Sequence, residues 1–186
     1  HLDLNKTFPG DAFGSHTERL GNKLTPYFED SDIVVDLHGG GSWCVNAFVF
    51  SFPDAYDLAT CFEAPFLTRL PYRAGTLTGY AHEHGARAVA VEMGGRSRDE
   101  LVWRDRISQG IARVLAENGV ITIKVEKPSV TPLEVQNMQV IRPNQGGTFY
   151  PVVREGSIGT IVPKGEVLGK MFDFSDYSLA EELVAP

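Results

Sequence analysis

The sequence predicts an α/β fold over residues 1–126 and a small all-β domain over residues 133–186. Two short, continuous apolar segments, residues 32–38 and 86–92, each end at glycines. Such segments are typical of strands that are buried on both faces of a sheet. The longest segment with helical periodicity, residues 98–118, follows the second of them and ends at a glycine. A strand–helix pattern followed by short β-like segments indicates two units.

Local signals define the other elements of the first unit. Residues 15–18 form a capping box, which begins a helix whose apolar positions continue to Phe28. An apolar run over residues 43–52 predicts another strand, and a helix is expected over residues 54–62. Residues 120–125 are rich in β-branched side chains and predict a last strand.

Turn-forming residues divide the second unit. Residues 127–132 contain two prolines and are expected to form a linker. Beyond it, short β-like runs alternate with turns at residues 144–147, 154–157 and 163–166, which is typical of a small all-β unit.

The charge and the apolar pattern exclude two classes of partner. The chain has 186 residues, with 24 Asp and Glu against 17 Lys and Arg, and a net charge of −7. An acidic surface repels phosphate backbones, so we expect no nucleic-acid binding. No apolar segment approaches the ~18 residues that a membrane helix needs, so we expect no membrane partner. Cys44 and Cys61 form no CxxC pattern, which fits a cytoplasmic protein with reduced thiols.

Two predicted strands end in a residue whose side chain can bind a metal or transfer a proton. His38 and Glu92 come last in their strands and are followed by glycines, which allow a ligand to approach the backbone. A His and a Glu at neighbouring strand ends suit a metal ligand and a general base. An ordinary hydrogen-bonded His and a surface Glu explain the pattern equally well. Asp36 shares a strand face with His38, so it either orients the imidazole or binds a nearby backbone N–H.

Two further groups have a simpler interpretation than a functional one. His82-Glu83-His84 could bind a metal, but it lies between Gly79 and Gly85, and a solvated loop is favoured. Cys44 follows His38 by six residues and could form a Cys–His pair. A small buried side chain is the favoured interpretation of this cysteine.

Three segments, in order along the chain, resemble the succinylglutamate desuccinylase/aspartoacylase family. Residues 3–10 (DLNKTFPG) resemble its D-L-N-R-x-F-P-G motif, residues 36–38 (DLH) its D-L-H motif, and residues 91–94 (VEMG) its V-E-x-G motif.

Shorter segments extend this resemblance over the rest of the chain. Residues 17–19 and the glycines at 39 and 40 resemble the bacterial subgroup that includes the N-acetyl-diaminobutyrate deacetylases. Residues 147–149 and 163–169 are similar to the family's C-terminal domain.

The resemblance implies a fold and an activity. The fold is a zinc-carboxypeptidase-like central mixed sheet flanked by helices, with a small C-terminal β domain. The activity is zinc-dependent hydrolysis of the amide bond of a small N-acyl amino acid. By resemblance, His38 is a zinc ligand and Glu92 is the general base that acts on a zinc-bound water. Asn5 and Lys6 bind the substrate, including its carboxylate. Lys6 replaces an Arg, so the charge is kept but the two-pronged grip on a carboxylate is lost.

The family's other two zinc ligands come from an H-x-x-E motif upstream of the D-L-N segment. This chain contains no match to that motif, so we expect it to be the C-terminal part of a longer enzyme and to be inactive alone. Two alternatives stay open: a metal-free binding protein of the same fold, and a zinc carboxypeptidase that acts on peptides. A homo-oligomer is compatible with the sequence, which does not reveal the acyl group or the amino acid.

Overall fold

The computed structural model describes residues 3–39, 47–94, 100–153 and 159–186. A single 3-10 turn, Leu4–Lys6, comes first. The helices are α1 (His16–Leu24), α2 (Pro26–Glu29), α3 (Tyr56–Thr60), α4 (Leu77–Glu83) and α5 (Glu100–Glu117). The strands are β1 (Ile33–His38), β2 (Phe48–Ser51), β3 (Phe66–Arg69), β4 (Arg87–Glu92), β5 (Leu133–Val135), β6 (Thr148–Pro151), β7 (Val167–Phe172) and β8 (Leu179–Val184).

The larger sheet has five strands in the order β1-β4-β2-β3-β5. Strand β2 runs antiparallel to β4, whereas the pairs β1–β4, β2–β3 and β3–β5 are parallel. The sheet is therefore mixed, and helices pack against it, which confirms the predicted fold class.

The main core lies between this sheet and helices α3 and α5. Val49, Leu67 and Val91 on the sheet are fully buried in one cluster with Trp103 and Val114 of α5. Burial of such side chains contributes about 1.5–3 kcal/mol each to folding. The long helix therefore packs against the centre of one face of the sheet.

Helix α5 approaches the core closely because of one glycine. A Cβ at Gly110 would lie 2.3 Å from the ring of Phe62, which is itself completely buried. The absence of a side chain at position 110 thus lets the Phe62 ring pack directly on the helix backbone.

A second cluster covers the other face of the sheet. Val34 and Ala88 are paired in register on β1 and β4, and they pack with Ala81 of α4 and with Phe28 and Leu77. Since side chains alternate along a strand, this is the face that also carries His38 and Glu92. Helix α4 therefore lies on the same side of the sheet as both predicted site residues.

The predicted start of helix α1 is confirmed. The Ser15 hydroxyl accepts from the Glu18 N–H, and the Ser15 N–H donates to the Glu18 carboxylate at 2.8 Å. The helix ends at Leu24, and Pro26 occupies the first turn of α2, where a missing N–H costs no hydrogen bond.

The predicted loop at residues 82–84 is wrong, because His82 and Glu83 lie in helix α4. Gly79 suggested a break in the chain, but it serves close packing inside the helix. A Cβ at this position would lie 2.0 Å from the Arg73 carbonyl oxygen. His82 stacks on Tyr72 with ring centroids 3.8 Å apart, so its ring has a structural partner.

The strand predicted over residues 120–125 is also wrong, since this segment is not in a strand and is mostly exposed. The edge of β3 is instead occupied by β5. Leu133–Val135 thus joins the larger sheet, although the sequence assigned residue 133 to the start of the all-β domain. The division into domains at residues 126 and 133 stays a prediction.

The second sheet has three antiparallel strands in the order β6-β7-β8. It supplies the β unit expected near the C-terminus, and the predicted turn at residues 154–157 lies outside the described residues. Among the helices described, none is long and apolar enough to cross a membrane.

Candidate active site

His38 and Glu92 lie side by side at the same edge of the sheet. Strands β1 and β4 are parallel and in register, and their last residues, His38 and Glu92, are directly paired. The His38 Nδ1 atom is 3.4 Å from Glu92 Oε1, and the two side chains are 30% and 15% exposed. The parallel pairing therefore brings together two of the residues that the sequence predicted.

Asp36 lies behind the imidazole. Its Oδ2 atom is 2.9 Å from His38 Nε2, and its side chain is 14% exposed. An ionised carboxylate can only accept, so in the neutral imidazole this contact favours a proton on Nε2 and a lone pair on Nδ1, on the side of Glu92. The protonated imidazole instead carries an N–H towards each of the two carboxylates. Of the two interpretations of Asp36, the geometry supports the one in which it orients His38.

Asn5 reaches the same ring from the 3-10 turn near the N-terminus. Its Nδ2 is 3.1 Å from His38 Nε2, and its Oδ1 accepts from the N–H of Leu77 at 2.8 Å. Leu77 is the first residue of α4, so one amide links three elements. Nε2 can form a hydrogen bond with Asp36 or with Asn5, but not with both at once. The hydrogen bond to the charged Asp36 carboxylate is the stronger of the two.

Lys6 is not brought against His38. Its ammonium group is 2.9 Å from Asp3 Oδ2, and the two side chains are 63% and 54% exposed. The hydrogen bond and charge of Lys6 lower the pKa of Asp3. Exposed ion pairs contribute little to stability, so this contact leaves the Lys6 side chain able to change partner. Sequence reasoning did not single out Asp3, although its spacing of three residues from Lys6 was a usable signal.

A cleft of about 390 Å³ opens on the Nε2 side of His38. Its polar wall consists of Asp3, Asn5, Asp36 and His38. Its other side chains are apolar and come from the first two helices, the N-terminal segment, β1 and α4: Leu4, Phe8, Leu24, Phe28, Leu37 and Leu77.

The electrostatics of the site favour a positive charge at His38. Partial burial by itself lowers the pKa of His38, but the hydrogen bond to Asp36 and the charges of Asp36, Glu92 and Asp3 outweigh it. The pKa of His38 is therefore raised above its ordinary value of 6.5. Three carboxylates around one imidazole form a place where a cation is stabilised.

Among the described residues, His38 has the surroundings that suit a single metal ligand. A zinc-binding His usually donates the N–H of one ring nitrogen to a carboxylate and binds the metal through the other ring nitrogen. Within the described parts of the chain, no group of three or more His, Cys, Asp or Glu side chains could hold a metal ion. His38 thus fits as one ligand, and a complete site requires ligands from other residues. Cys44 lies outside the described residues.

The row of the sheet that carries His38 and Glu92 continues across β2 and β3. Phe48 pairs with Glu92, and Phe66 pairs with Phe48. Sequence reasoning missed both rings, because nothing in the order of elements indicates that β2 inserts beside β4.

These features define a mixed-sheet α/β protein with a histidine–carboxylate site at one edge of the sheet. Residues 1–117 match the family model for the succinylglutamate desuccinylase/aspartoacylase catalytic domain. The chain belongs to this family.

Known relatives agree with this assignment. The chain is 25% identical to an N-alpha-acetyl-L-2,4-diaminobutyric acid deacetylase from Halomonas elongata, over 96% of the chain and 56% of that protein. The product-bound structure of the ectoine utilization protein EutE (DoeB) from Ruegeria pomeroyi is 22% identical, with a TM-score of 0.78. A succinylglutamate desuccinylase from Silicibacter sp. TM1040 is 20% identical, with a TM-score of 0.75. Both comparisons cover 98% of this chain and 59% of the solved one. The chain therefore has the same fold and spans a little more than half the length of these relatives.

Proposed function

We propose that the whole protein hydrolyses the amide bond of a small N-acyl amino acid, with Glu92 as general base and general acid. The observation that carries this proposal is the paired position of His38 and Glu92, with Asp36 behind the imidazole. Membership of a family whose relatives include a diaminobutyric acid deacetylase supports the reaction class.

We also propose that the site takes one zinc ion, with His38 as one ligand through Nδ1. Two further ligands would come from an H-x-x-E segment outside residues 1–186. Zinc, when bound, lowers the pKa of a water and polarises the scissile carbonyl.

Glu92 is the residue that moves protons. Its carboxylate takes a proton from the attacking water, and the same carboxylate then donates that proton to the leaving amine. One group can serve both steps because the water and the leaving nitrogen lie on the same carbon of the tetrahedral intermediate. The position of Glu92 at the end of β4, a strand paired on both sides, fixes the carboxylate without a mobile loop.

Asn5 and Lys6 hold the amino-acid end of the substrate. Asn5 already lies against His38, so an amine end bound there would be on the β1 side of Glu92. Lys6 is two-thirds exposed and could exchange its contact with Asp3 for the substrate carboxylate. Asp36 acts through His38, whose orientation it fixes.

The test is the substitution Glu92→Gln in the whole protein, measured with N-acetyl-L-2,4-diaminobutyrate and N-succinyl-L-glutamate. Glutamine has nearly the same shape but cannot accept the proton. We expect kcat to fall at least about 100-fold, the low end of what general acid–base catalysis contributes. Zinc content, measured by elemental analysis, should stay near one per chain.

Glu166→Gln is the matched control, because Glu166 is exposed and lies in the second unit. It should leave both kcat and the zinc content unchanged. Full activity of the Glu92→Gln protein would refute the role of Glu92. Absence of zinc together with absence of turnover in the wild type would favour the metal-free binding protein, and turnover of peptides instead would favour the carboxypeptidase.

A further inference from the structure

The sheet extends the site on the side of Glu92 away from His38. Glu92 lies on β4, the strand between β1 and β2. Phe48 on β2 is directly opposite Glu92, and Phe66 on β3 is directly opposite Phe48. Directly opposed residues share a face of the sheet, and neighbouring strands are about 4.8 Å apart. The two rings therefore continue the row of His38 and Glu92 over a further ~10 Å.

Both rings are apolar groups that are only partly buried. Val49 and Leu67, the next residues along the same strands, are completely buried on the opposite face. Phe50, which shares the face of Phe48, packs edge-to-face against its ring with centroids 4.9 Å apart. Phe48 is thus held in place by a neighbouring ring.

The C-terminal part of the chain approaches the Phe66 ring. A Cβ at Gly159, which has φ of +89°, would lie 3.3 Å from Cζ of Phe66. The backbone of Gly159 therefore packs against the end of the Phe66 ring. Leu133 on β5 is directly opposite Phe66 and continues the row beyond the two rings. From Glu92 onward, none of the described residues of this row carries a cationic side chain.

We propose that Phe48 and Phe66 form the subsite for the acyl group, and that this group is a short apolar acyl chain rather than a dicarboxylic one. The proposal rests on the proposed function, in which water attacks a carbonyl carbon held next to Glu92. The amine end then lies towards Asn5 on the β1 side, so the acyl end extends over β2 and β3. The terminal carboxylate of a succinyl group would be desolvated against two phenyl rings, and none of the described residues of this row beyond Glu92 supplies a cation to pair with it.

The experiment compares acyl groups on one amino acid in the whole protein. The substrates are the N-acetyl, N-butyryl and N-succinyl derivatives of L-2,4-diaminobutyrate, and the same three derivatives of L-glutamate. We expect kcat/KM to be at least about tenfold higher for N-butyryl than for N-succinyl on both amino acids. Phe66→Ala should lower the kcat/KM ratio of N-butyryl to N-acetyl about tenfold, since two methylenes lose their contact. Phe48→Ala should lower kcat/KM for N-acetyl as well, because Phe48 is next to Glu92.

Phe66→Arg is the converse change, because it places a cation where the succinyl carboxylate would lie. It should raise the kcat/KM ratio of N-succinyl to N-butyryl at least about tenfold. Ratios between two substrates do not depend on the fraction of folded protein, so a destabilised variant still gives an answer. Phe13→Ala is the control, since Phe13 is 97% exposed.

Two results would overturn the subsite alone: a wild type that hydrolyses N-succinyl as well as N-butyryl substrates, or acyl ratios that stay within about twofold in both Phe66 variants. A wild type that hydrolyses no N-acyl amino acid would overturn the proposed function, and the subsite with it.

Discussion

The contact between Asp36 and His38 makes the substitution Asp36→Asn a sharp test of how the site binds a cation. An amide in place of the carboxylate can donate an N–H to Nε2, which moves the ring proton to Nδ1. Nδ1 then presents an N–H towards Glu92 instead of a lone pair, and a metal cannot bind there. Asparagine is nearly isosteric with aspartate, so the fold should change little.

The expected magnitude follows from the bond that is lost. The Asp36 carboxylate is 2.9 Å from Nε2 and 14% exposed, so the bond is charge-assisted and partly shielded from water. Such bonds contribute about 1.5–3 kcal/mol, which corresponds to a factor of roughly 10 to 100 in an equilibrium constant. Loss of a carboxylate behind a metal-binding His weakens metal binding by the same factor.

The assay is a zinc competition titration of the whole protein against a chromophoric chelator, with kcat measured at saturating zinc. We expect the zinc dissociation constant to rise roughly 10- to 100-fold, and kcat to recover largely when zinc is in excess. Asp105→Asn is a control, because Asp105 is exposed and remote on α5. Zinc affinity within about twofold of the wild type in the Asp36→Asn protein would refute the assigned orientation of His38.

Two further predictions concern the ion pair between Arg113 and Glu63, whose side chains are 5% and 14% exposed. Arg113→Met should lower the free energy of unfolding by about 3 kcal/mol in urea titrations, because it leaves a mostly buried carboxylate without its cation. The double variant with Glu63→Gln should recover part of this loss, and a loss below about 1 kcal/mol in the single variant would contradict the argument. Burial raises the pKa of Glu63, but hydrogen bonds from Ser129 and Arg113 outweigh this effect, and the pKa is lowered overall. Its ionised form therefore stabilises the fold above about pH 4.5, and this contribution disappears as the pH falls through the lowered pKa. In acid titrations followed by circular dichroism, Glu63→Gln should flatten the dependence of stability on pH below about pH 4.5, and a slope equal to that of the wild type would show that Glu63 does not supply it.

The elements that could be predicted from sequence are those with a local physical signature. Strands β1 and β4 lie within one residue of the predicted limits, because short apolar runs that end at glycines have few other solutions. The capping box at Ser15 and the helix end before Gly119 follow from backbone hydrogen bonds that only nearby residues can satisfy.

The elements that could not be predicted depend on distant contacts. Gly79 looks like a break, yet its lack of a side chain leaves room for the Arg73 carbonyl oxygen, which lies against helix α4. Residues 120–125 have the composition of a strand, but β5 occupies the available edge. Strand propensity describes how a side chain fits a sheet surface, and it does not decide which segment reaches that surface.

The candidate site shows the same division. The motifs predict His38, Glu92 and Asn5, and the structure brings these three side chains together. The Phe48–Glu92 pairing could not be foreseen, because the order of strands in space differs from their order in the chain. The motif also predicts Lys6, but the Lys6 side chain pairs with Asp3, a contact that only the spacing of three residues between them could indicate.

The Arg113–Glu63 pair also has a consequence for how the larger sheet is completed. Glu63 accepts from the backbone and the hydroxyl of Ser129, 66 residues further along the chain. β3 begins three residues after Glu63 and β5 begins four residues after Ser129. Once the contact between Glu63 and Ser129 exists, pairing the two strands closes a loop of about seven residues instead of about 67, which lowers the entropic cost by about 2 kcal/mol. A distant strand pairing thereby becomes a local one. If the hydrogen bonds between Glu63 and Ser129 are lost, we expect β5 to detach from β3. The exposed edge of β3 would then be a template for aggregation.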